Sequence, residues 1–321
     1  MGSGTVRGSA NWRAAPRVAT LRFVITRIAD HVLVARWRLA GFRSSHVPTR
    51  HGRVHVLDAR GTGEGPPIVV LHGLAAAAHH YGGLLTALRP FTRRVVGIDL
   101  PGHGHSDLPS ARDLHAAMEN ALVRAFEETV GPEGAIVVGN SLGGAAAVRL
   151  AHHRPDLVRG LYLIAPGGAA MDDQELSAFL ERFALRTHGE ALRFVDDLFH
   201  RPHPMRHALA WGTRQQFRRS RVQAVVRSFR RESMLVPDDL RGLTMPVEVL
   251  WGGADRVLTP KHLQFWKTHL PRHARLEVHD EVGHVPHIDS HDALVTRIGA
   301  FVNRVASEPA ARPDSRAVPA A

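Results

Sequence analysis

The sequence contains no cysteine among its 321 residues. This absence excludes disulfides, zinc–thiolate sites, iron–sulfur clusters and a thiol nucleophile. Long uncharged apolar runs are missing too, so no stretch reaches the roughly 18 residues of a membrane-spanning helix or provides the core of a secretory signal. With 44% hydrophobic and 22% charged residues, the composition is that of an ordinary globular protein. We therefore expect a cytoplasmic protein.

Acidic residues are scarce, since 30 Asp and Glu stand against 41 Lys and Arg and leave a formal charge of +11. The excess is localised, because residues 1–60 hold 11 Arg and 2 acids and so carry 11 − 2 = +9. A second basic run, residues 214–231, contains 7 Arg and no acid. A protein that coats nucleic acid would spread its charge more widely. We therefore expect no nucleic-acid partner and two local basic elements.

The first basic element is predicted to be an amphipathic helix over residues 17–37, within a basic extension over residues 1–50. Leu21, Ile25, Ile28 and Val32 follow the spacing of one apolar helix face. One interpretation is a helix packed on its own domain or on a partner subunit, with its arginines in solvent. The other is peripheral contact with the inner face of the membrane, because basic amphipathic helices bind anionic lipid surfaces.

Apolar β-branched runs alternate with helical patterns along the rest of the chain. This alternation predicts an α/β fold, with a mostly parallel central sheet and helices on both faces. The predicted strands are 53–57, 67–71, 94–100, 135–139, 161–165, 247–251 and 275–279, and the predicted helices between them are 80–88, 111–129, 142–153, 261–270 and 292–305.

One long interval breaks the alternation. Residues 167–243 contain three or four helical patterns and no convincing strand. They predict a helical insertion, called the cap below, between two parts of the core, residues 51–166 and 244–306. The final residues, 307–321, are rich in Pro, Ala and Arg and predict a disordered tail.

The strongest chemical motif follows the predicted strand 135–139. The sequence Gly139-Asn140-Ser141-Leu142-Gly143 has the G-x-S-x-G pattern between a strand and a helix, which is typical of a nucleophile elbow. Such a turn holds the serine in a strained backbone conformation, and its glycines allow the strand and the helix to approach closely. The free N–H groups at the start of the helix then face a developing oxyanion.

A serine hydroxyl needs a base, and the base needs an orienting acid. Asp255 follows the predicted strand 247–251, and His284 follows the next one, so both lie where open α/β sheets place their sites. The order Ser141, Asp255, His284 is the order expected for this elbow. The rival base is His287, and the rival acids are Asp172 and Asp173.

Stabilising an oxyanion requires two backbone N–H donors. One is the amide of Leu142, directly after the serine. The other is expected from the loop after strand 67–71, which reads His72-Gly73-Leu74-Ala75, and Leu74 is the first choice with Ala75 next. Gly73 is predicted to lie against the substrate, whereas the sequence assigns no substrate-binding residue in the cap.

The chain resembles the α/β-hydrolase fold superfamily over about residues 53–304, through the segments LHGL, DLPGHGHSD, GNSLGG, WGGADRVLTP and GHVPH. The resemblance implies a serine hydrolase with a helical cap, which needs no metal or organic cofactor. We expect a carboxylic ester hydrolase, an esterase or a lipase/lysophospholipase-like enzyme, acting on a small-molecule ester or a lipid. Two alternatives stay open: a C–C bond hydrolase of ring-cleavage products, although Val285 stands where those enzymes usually carry tryptophan, and a non-catalytic ligand-binding member of the fold.

Overall fold

A computed structural model describes residues 36–307 of the chain. The predicted helix over residues 17–37 and the predicted disordered tail over residues 307–321 lie outside the described residues, apart from their ends at residues 36–37 and 307.

The core is one eight-stranded sheet. Its strands are β1 (Arg43–Thr49), β2 (Gly52–Arg60), β3 (Ile68–Leu71), β4 (Arg94–Ile98), β5 (Ala135–Asn140), β6 (Val158–Ile164), β7 (Val247–Gly252) and β8 (Arg275–His279). The spatial order is β1-β2-β4-β3-β5-β6-β7-β8. The pairs β1–β2 and β2–β4 are antiparallel, and every other neighbouring pair is parallel. The predicted mostly parallel sheet is confirmed.

Strand β1 was not predicted, and it lies inside the range that the sequence assigned to the basic extension. The segment RSSHVPT is poor in strong strand formers and includes Pro48. Such a segment forms a strand because it occupies the edge of the sheet, where proline is tolerated and one neighbour, β2, supplies the pairing from Arg43↔Asp58 to Thr49↔Gly52.

Helices cover both faces of the sheet, as predicted. One face packs against α2 (Leu114–Val130), α3 (Leu142–His153) and α9 (Pro260–His269), with Phe126 and Trp266 fully buried. The other face packs against α1 (Gly82–Leu88) and α11 (His291–Ser307), with Leu85 and Phe301 in its core. A short helix, α10 (Pro286–Asp289), precedes α11.

Five α-helices and one 3₁₀ turn (Arg231–Ser233) lie between β6 and β7, in the cap interval where the sequence predicted three or four helices. The α-helices are α4 (Asp173–Glu181), α5 (His188–Leu198), α6 (Arg206–Phe217), α7 (Ser220–Ser228) and α8 (Pro237–Arg241). Capping boxes at Asp172 and Thr187 begin α4 and α5. The cap has its own aromatic core, in which the rings of Phe183 and Phe217 stack 5.7 Å apart.

Within residues 36–307, no helix combines the length and the apolar character needed to cross a bilayer.

Candidate active site

Ser141 occupies a strained turn between β5 and α3. Its backbone angles are φ 55° and ψ −116°, in a region that non-glycine residues rarely adopt. The turn is held on both sides, because the amide of Ser141 donates to Ile164 O at 3.0 Å and its carbonyl accepts from the amide of Gly167 at 2.9 Å. A side chain at Gly143 would overlap the carbonyl of Leu71. The close approach expected of an elbow glycine is therefore present.

His284 and Asp255 are brought together by the loops after β8 and β7. His284 Nδ1 lies 2.7 Å from Asp255 Oδ2, and both side chains are buried. The other carboxylate oxygen, Oδ1, accepts from the amides of Val257 at 2.8 Å and Leu258 at 3.0 Å. Burial opposes ionisation, but His284 and these donors prevail and hold the pKa of Asp255 below its usual value. The ionised carboxylate of Asp255 accepts a hydrogen bond from Nδ1–H of His284. With its proton on Nδ1, the imidazole has an unprotonated Nε2 that can act as a base.

The main chain of His284 is also fixed, by the cap and by the elbow strand. Its amide donates to Leu198 O, at the end of α5, at 2.8 Å. Its carbonyl accepts from Asn140 Nδ2 at 3.2 Å. A side chain at Gly283 would overlap Leu198 O, so only glycine fits at the position before the histidine without a shift of the cap.

Asn140 is a site residue that the sequence reasoning missed. Its carboxamide is buried; Nδ2 donates to Ile164 O at 3.0 Å as well as to His284, and Oδ1 accepts from the hydroxyl of Tyr81 at 2.6 Å. It therefore connects the elbow, β6, the histidine loop and the helical turn before α1. The only signal in the sequence was its place directly before Ser141.

The loop after β3 lies beside Ser141. A Cβ built on Gly73 would be 3.5 Å from Ser141 Cβ. The amide of Ala76 donates to Gly73 O at 3.1 Å and closes a turn in which Ala75 has φ 60°. His72 Nδ1 donates to the same carbonyl at 2.7 Å, and its Nε2 accepts from the amide of Leu100 at 3.0 Å. Burial lowers the pKa of His72, which favours this neutral form.

Both predicted oxyanion donors thus lie next to Ser141. Leu74 follows Gly73 in the turn, and Leu142 is the first residue of α3, where an amide has no partner within its own helix. Such an arrangement can stabilise negative charge on an oxygen held at Ser141.

The rival residues lie in other environments. Asp172 is the N-cap of α4 and accepts from the amide of Glu175 at 2.8 Å, and Asp173 is the first residue of that helix. His287 stacks on the ring of Tyr81 at 4.1 Å, and burial lowers its pKa to about 3. Among the described contacts, only His284 of these two histidines has a carboxylate partner.

Two cavities meet at Ser141. The narrow cavity, of about 120 Å³, lies between α2, α3 and the cap, and its lining is mostly apolar but includes His115, Glu119 and Arg149. The wide cavity, of about 590 Å³, lies between the β3 loop, His284 and helices α5 and α6 of the cap. Leu74, Ser141, Phe179 and Phe183 line both. The two cap phenylalanines therefore stand at the boundary between the cavities.

The histidine-rich loop of DLPGHGHSD is organised around a buried carboxylate. Asp99 accepts from His55 Nδ1 at 2.8 Å and from the amides of Ala78 at 2.6 Å and His105 at 2.8 Å. Burial opposes ionisation, yet these donors lower the pKa of Asp99. The loop is thereby tied to β2 and to the segment before α1. Within residues 36–307, no group of three or more His, Asp or Glu side chains is arranged to hold a metal ion.

The family is decided by a sequence comparison. The family model described as the alpha/beta hydrolase fold matches residues 66–242, more than half of the chain. The chain belongs to the α/β-hydrolase family. The predicted fold class and family are confirmed.

Individual members of the family differ in what they cleave. The chain is 31% identical to a pimeloyl-[acyl-carrier protein] methyl ester esterase of Nitrosomonas europaea, over 75% of this chain and 97% of that protein. It is 33% identical to a 2-hydroxy-6-oxononadienedioate/2-hydroxy-6-oxononatrienedioate hydrolase of Comamonas testosteroni, over 36% of this chain and 41% of that protein. A crystal structure of a bacterial membrane phospholipase A shares the fold, with a TM-score of 0.73, 22% identity and coverage of 90% and 95%.

The buried histidines predict a loss of stability in mild acid. Burial lowers the pKa of His103 to about 3 and of His262 to about 4, whereas both would titrate near 6.5 in the unfolded chain. Between these pH values the unfolded state binds more protons than the folded state does. The free energy of unfolding is therefore highest above pH 6.5 and falls as the pH is lowered. At pH 5.5 each of these histidines lowers the free energy of unfolding by on the order of 1 kcal/mol. Urea unfolding at pH 7.5 and 5.5 measures the difference.

Both measurements are made above pH 5, whereas Asp and Glu side chains titrate at lower pH, so the difference reports on the histidines. His262→Gln removes one of the buried histidines with a lowered pKa, so the stability of this variant should depend less steeply on pH than that of the wild type. Equal stability of the wild-type protein at the two pH values would contradict the prediction.

Proposed function

We propose that the protein is a serine hydrolase that cleaves carboxylic esters through an acyl-enzyme intermediate. The observation that carries the proposal is His284, which contacts Asp255 at 2.7 Å and lines one cavity together with the strained Ser141. Three groups of these types, at the carboxyl ends of strands in one sheet, make an activated serine nucleophile.

In the proposed first step, Ser141 Oγ attacks the ester carbonyl and its proton passes to His284 Nε2. The carbonyl oxygen becomes an oxyanion, which the amides of Leu142 and Leu74 stabilise. The C–O bond to the alcohol then breaks, and His284 returns the proton to the leaving oxygen. Water repeats the sequence on the acyl-enzyme, giving the carboxylic acid and free Ser141. Asp255 orients the imidazole and stabilises its charged form.

The surroundings of Ser141 support an ester with a substantial apolar part, either a small molecule or a lipid. The narrow cavity offers leucine, methionine, alanine and phenylalanine side chains on its walls. The esterase and the phospholipase among the similar proteins are consistent with such substrates. C–C bond hydrolysis stays the alternative, and the short match to the Comamonas hydrolase is its support.

Replacing the nucleophile tests the mechanism. Ser141→Ala should lower kcat on p-nitrophenyl acyl esters by at least about 10⁴-fold, because the covalent step loses its reacting oxygen. Wild-type protein should be labelled by a fluorophosphonate probe and the variant should not. Full turnover by the variant would refute the mechanism, and an unlabelled wild type would favour a binding protein. Faster hydrolysis of a ring-cleavage dienone than of any ester in a chain-length panel would favour the C–C alternative.

Replacing the acid tests the assignment of Asp255. Asp255→Asn should lower kcat by about 10³- to 10⁴-fold, because an amide no longer fixes the tautomer of His284 or stabilises its positive charge. The matched control is Asp172→Asn, since asparagine also caps a helix, and it should stay within twofold of wild type in kcat. A larger loss of kcat in Asp172→Asn than in Asp255→Asn would assign the role of the orienting acid to Asp172.

We also propose that the enzyme works against an anionic membrane surface, at the inner face of the membrane, through residues 17–37. Trp37, at the end of the predicted basic helix, lines the wide cavity and donates from Nε1 to His79 O at 2.9 Å. Trp211 and Ile288, two large exposed apolar side chains, line the same cavity, and Leu39, close to Trp37 in the chain, is 91% exposed. Apolar and aromatic groups at a cavity mouth, next to a basic helix, suit a lipid interface.

Vesicle binding tests this proposal. Full-length protein carrying Arg22→Gln, Arg27→Gln and Arg36→Gln should bind vesicles containing phosphatidylserine at least tenfold more weakly than wild type, since each arginine near an anionic surface contributes about 1 kcal/mol. The control removes three exposed arginines elsewhere and should bind within twofold of wild type: Arg50→Gln, Arg112→Gln and Arg272→Gln. Equal sedimentation of wild type with anionic and neutral vesicles would contradict the proposal.

A further inference from the structure

The two cavities at Ser141 differ in which catalytic groups they contact. Leu142, whose amide is one oxyanion donor, lines only the narrow cavity, whereas His284 lines only the wide one. From this division we infer that the narrow cavity binds the acyl chain and the wide cavity binds the alcohol, and that helix α3 limits the acyl chain to medium length. The inference rests on the proposed ester hydrolysis.

The position of the base assigns the alcohol. When the C–O bond breaks, the leaving oxygen must take its proton from His284 Nε2, which requires it to lie within hydrogen-bond reach of that atom. The alcohol therefore lies on the side of Ser141 that His284 faces, which is the wide cavity. The water that later cleaves the acyl-enzyme must reach the same imidazole, so it occupies the place that the alcohol leaves.

The acyl chain must lie on the other side. Its carbonyl carbon stays bound to Ser141 between the two steps, and its oxygen stays with the amides of Leu142, which lines only the narrow cavity, and Leu74, which lines both. The walls of this cavity are mostly apolar and include Leu100, Met118 and Leu122. Each CH₂ that an alkyl chain buries there strengthens its binding about fourfold.

Helix α3 forms one wall of the narrow cavity along its length. The residues that line it are at helical spacing: Leu142, Ala145, Ala146, Arg149 and Leu150. Arg149 lies eight residues after Ser141, which places it about 12 Å further along the helix. Its guanidinium donates to Met234 O at 3.0 Å and pairs with Asp239 at 3.3 Å, so a charged, anchored group stands at this end. At bond lengths of about 1.5 Å, an extended chain of roughly eight to ten carbons fills that distance.

Shortening the cavity tests the inference. Ala146 lies about 7.5 Å along the helix from Ser141, so Ala146→Leu should block longer chains and leave short ones. We expect kcat/KM for ethyl octanoate, divided by kcat/KM for ethyl acetate, to fall at least tenfold. The corresponding ratio for octyl acetate over ethyl acetate should stay within twofold. Met118→Phe reduces the same cavity from α2 and should act in the same direction, so the test does not depend on one variant folding.

The matched control reduces the wide cavity. Gly212, on α6, lines that cavity, and a Cβ built there meets nothing within 4 Å. Gly212→Leu should therefore lower kcat/KM for octyl acetate relative to ethyl acetate. The ratio of kcat/KM for ethyl octanoate to that for ethyl acetate should stay within twofold of wild type.

Ethyl acetate turnover and fluorophosphonate labelling distinguish a wrong assignment of the two cavities from a failure of the proposed ester hydrolysis. If variants still cleave ethyl acetate but Ala146→Leu and Met118→Phe change the alcohol series instead of the acyl series, the assignment is reversed and the inference is wrong. If Gly212→Leu changes the acyl series, the inference is wrong as well. If wild type is neither labelled nor active on any ester, the proposed function fails and the inference fails with it.

Discussion

The first turn of α3 packs directly against the carboxyl end of β3, and the geometry of the whole site follows from this contact. Side chains at Gly143 and Gly139 would overlap the carbonyls of Leu71 and Gly143. Because both positions are glycine, the chain can turn sharply after β5. The backbone conformation that Ser141 adopts in this turn has a strain energy of about 1–3 kcal/mol. The parallel pairing of β5 with β3 then places the turn that begins at Gly73 beside the serine, where a Cβ built on Gly73 would be 3.5 Å from Ser141 Cβ.

The cap takes part in this geometry as well as covering it. The carbonyl of Leu198, at the end of α5, accepts from the amide of His284, and the absence of a side chain at Gly283 makes room for the contact. Asn140 holds the opposite side of the histidine loop. A movement of α5 away from the core would therefore displace the proposed base relative to Ser141. For this reason, we regard the cap as a structural part of the proposed catalytic centre.

Much of the fold and of the candidate site was predictable because its signals are local. The apolar runs gave seven of the eight strands, and Ser141, Asp255 and His284 each follow a strand with glycines nearby. Strand β1 was missed because its pairing with β2, and not its own composition, makes it a strand. Asn140 was missed because its partners, Tyr81 and His284, are 59 and 144 residues away. Contacts of this range depend on the folded sheet and leave no periodic trace in the sequence.

The net charge of +11 belongs largely to residues 1–60, outside most of the sheet and the candidate site. Phe179 and Phe183 line both cavities at Ser141 and stand at the boundary between them. On the proposed mechanism, the acyl group stays in the narrow cavity while the contents of the wide cavity exchange. Whatever next reaches His284 there accepts the acyl group. Water gives hydrolysis, and an alcohol held in the same cavity would give acyl transfer. The cap side chains that line the wide cavity, and not the serine itself, would then decide between these two outcomes.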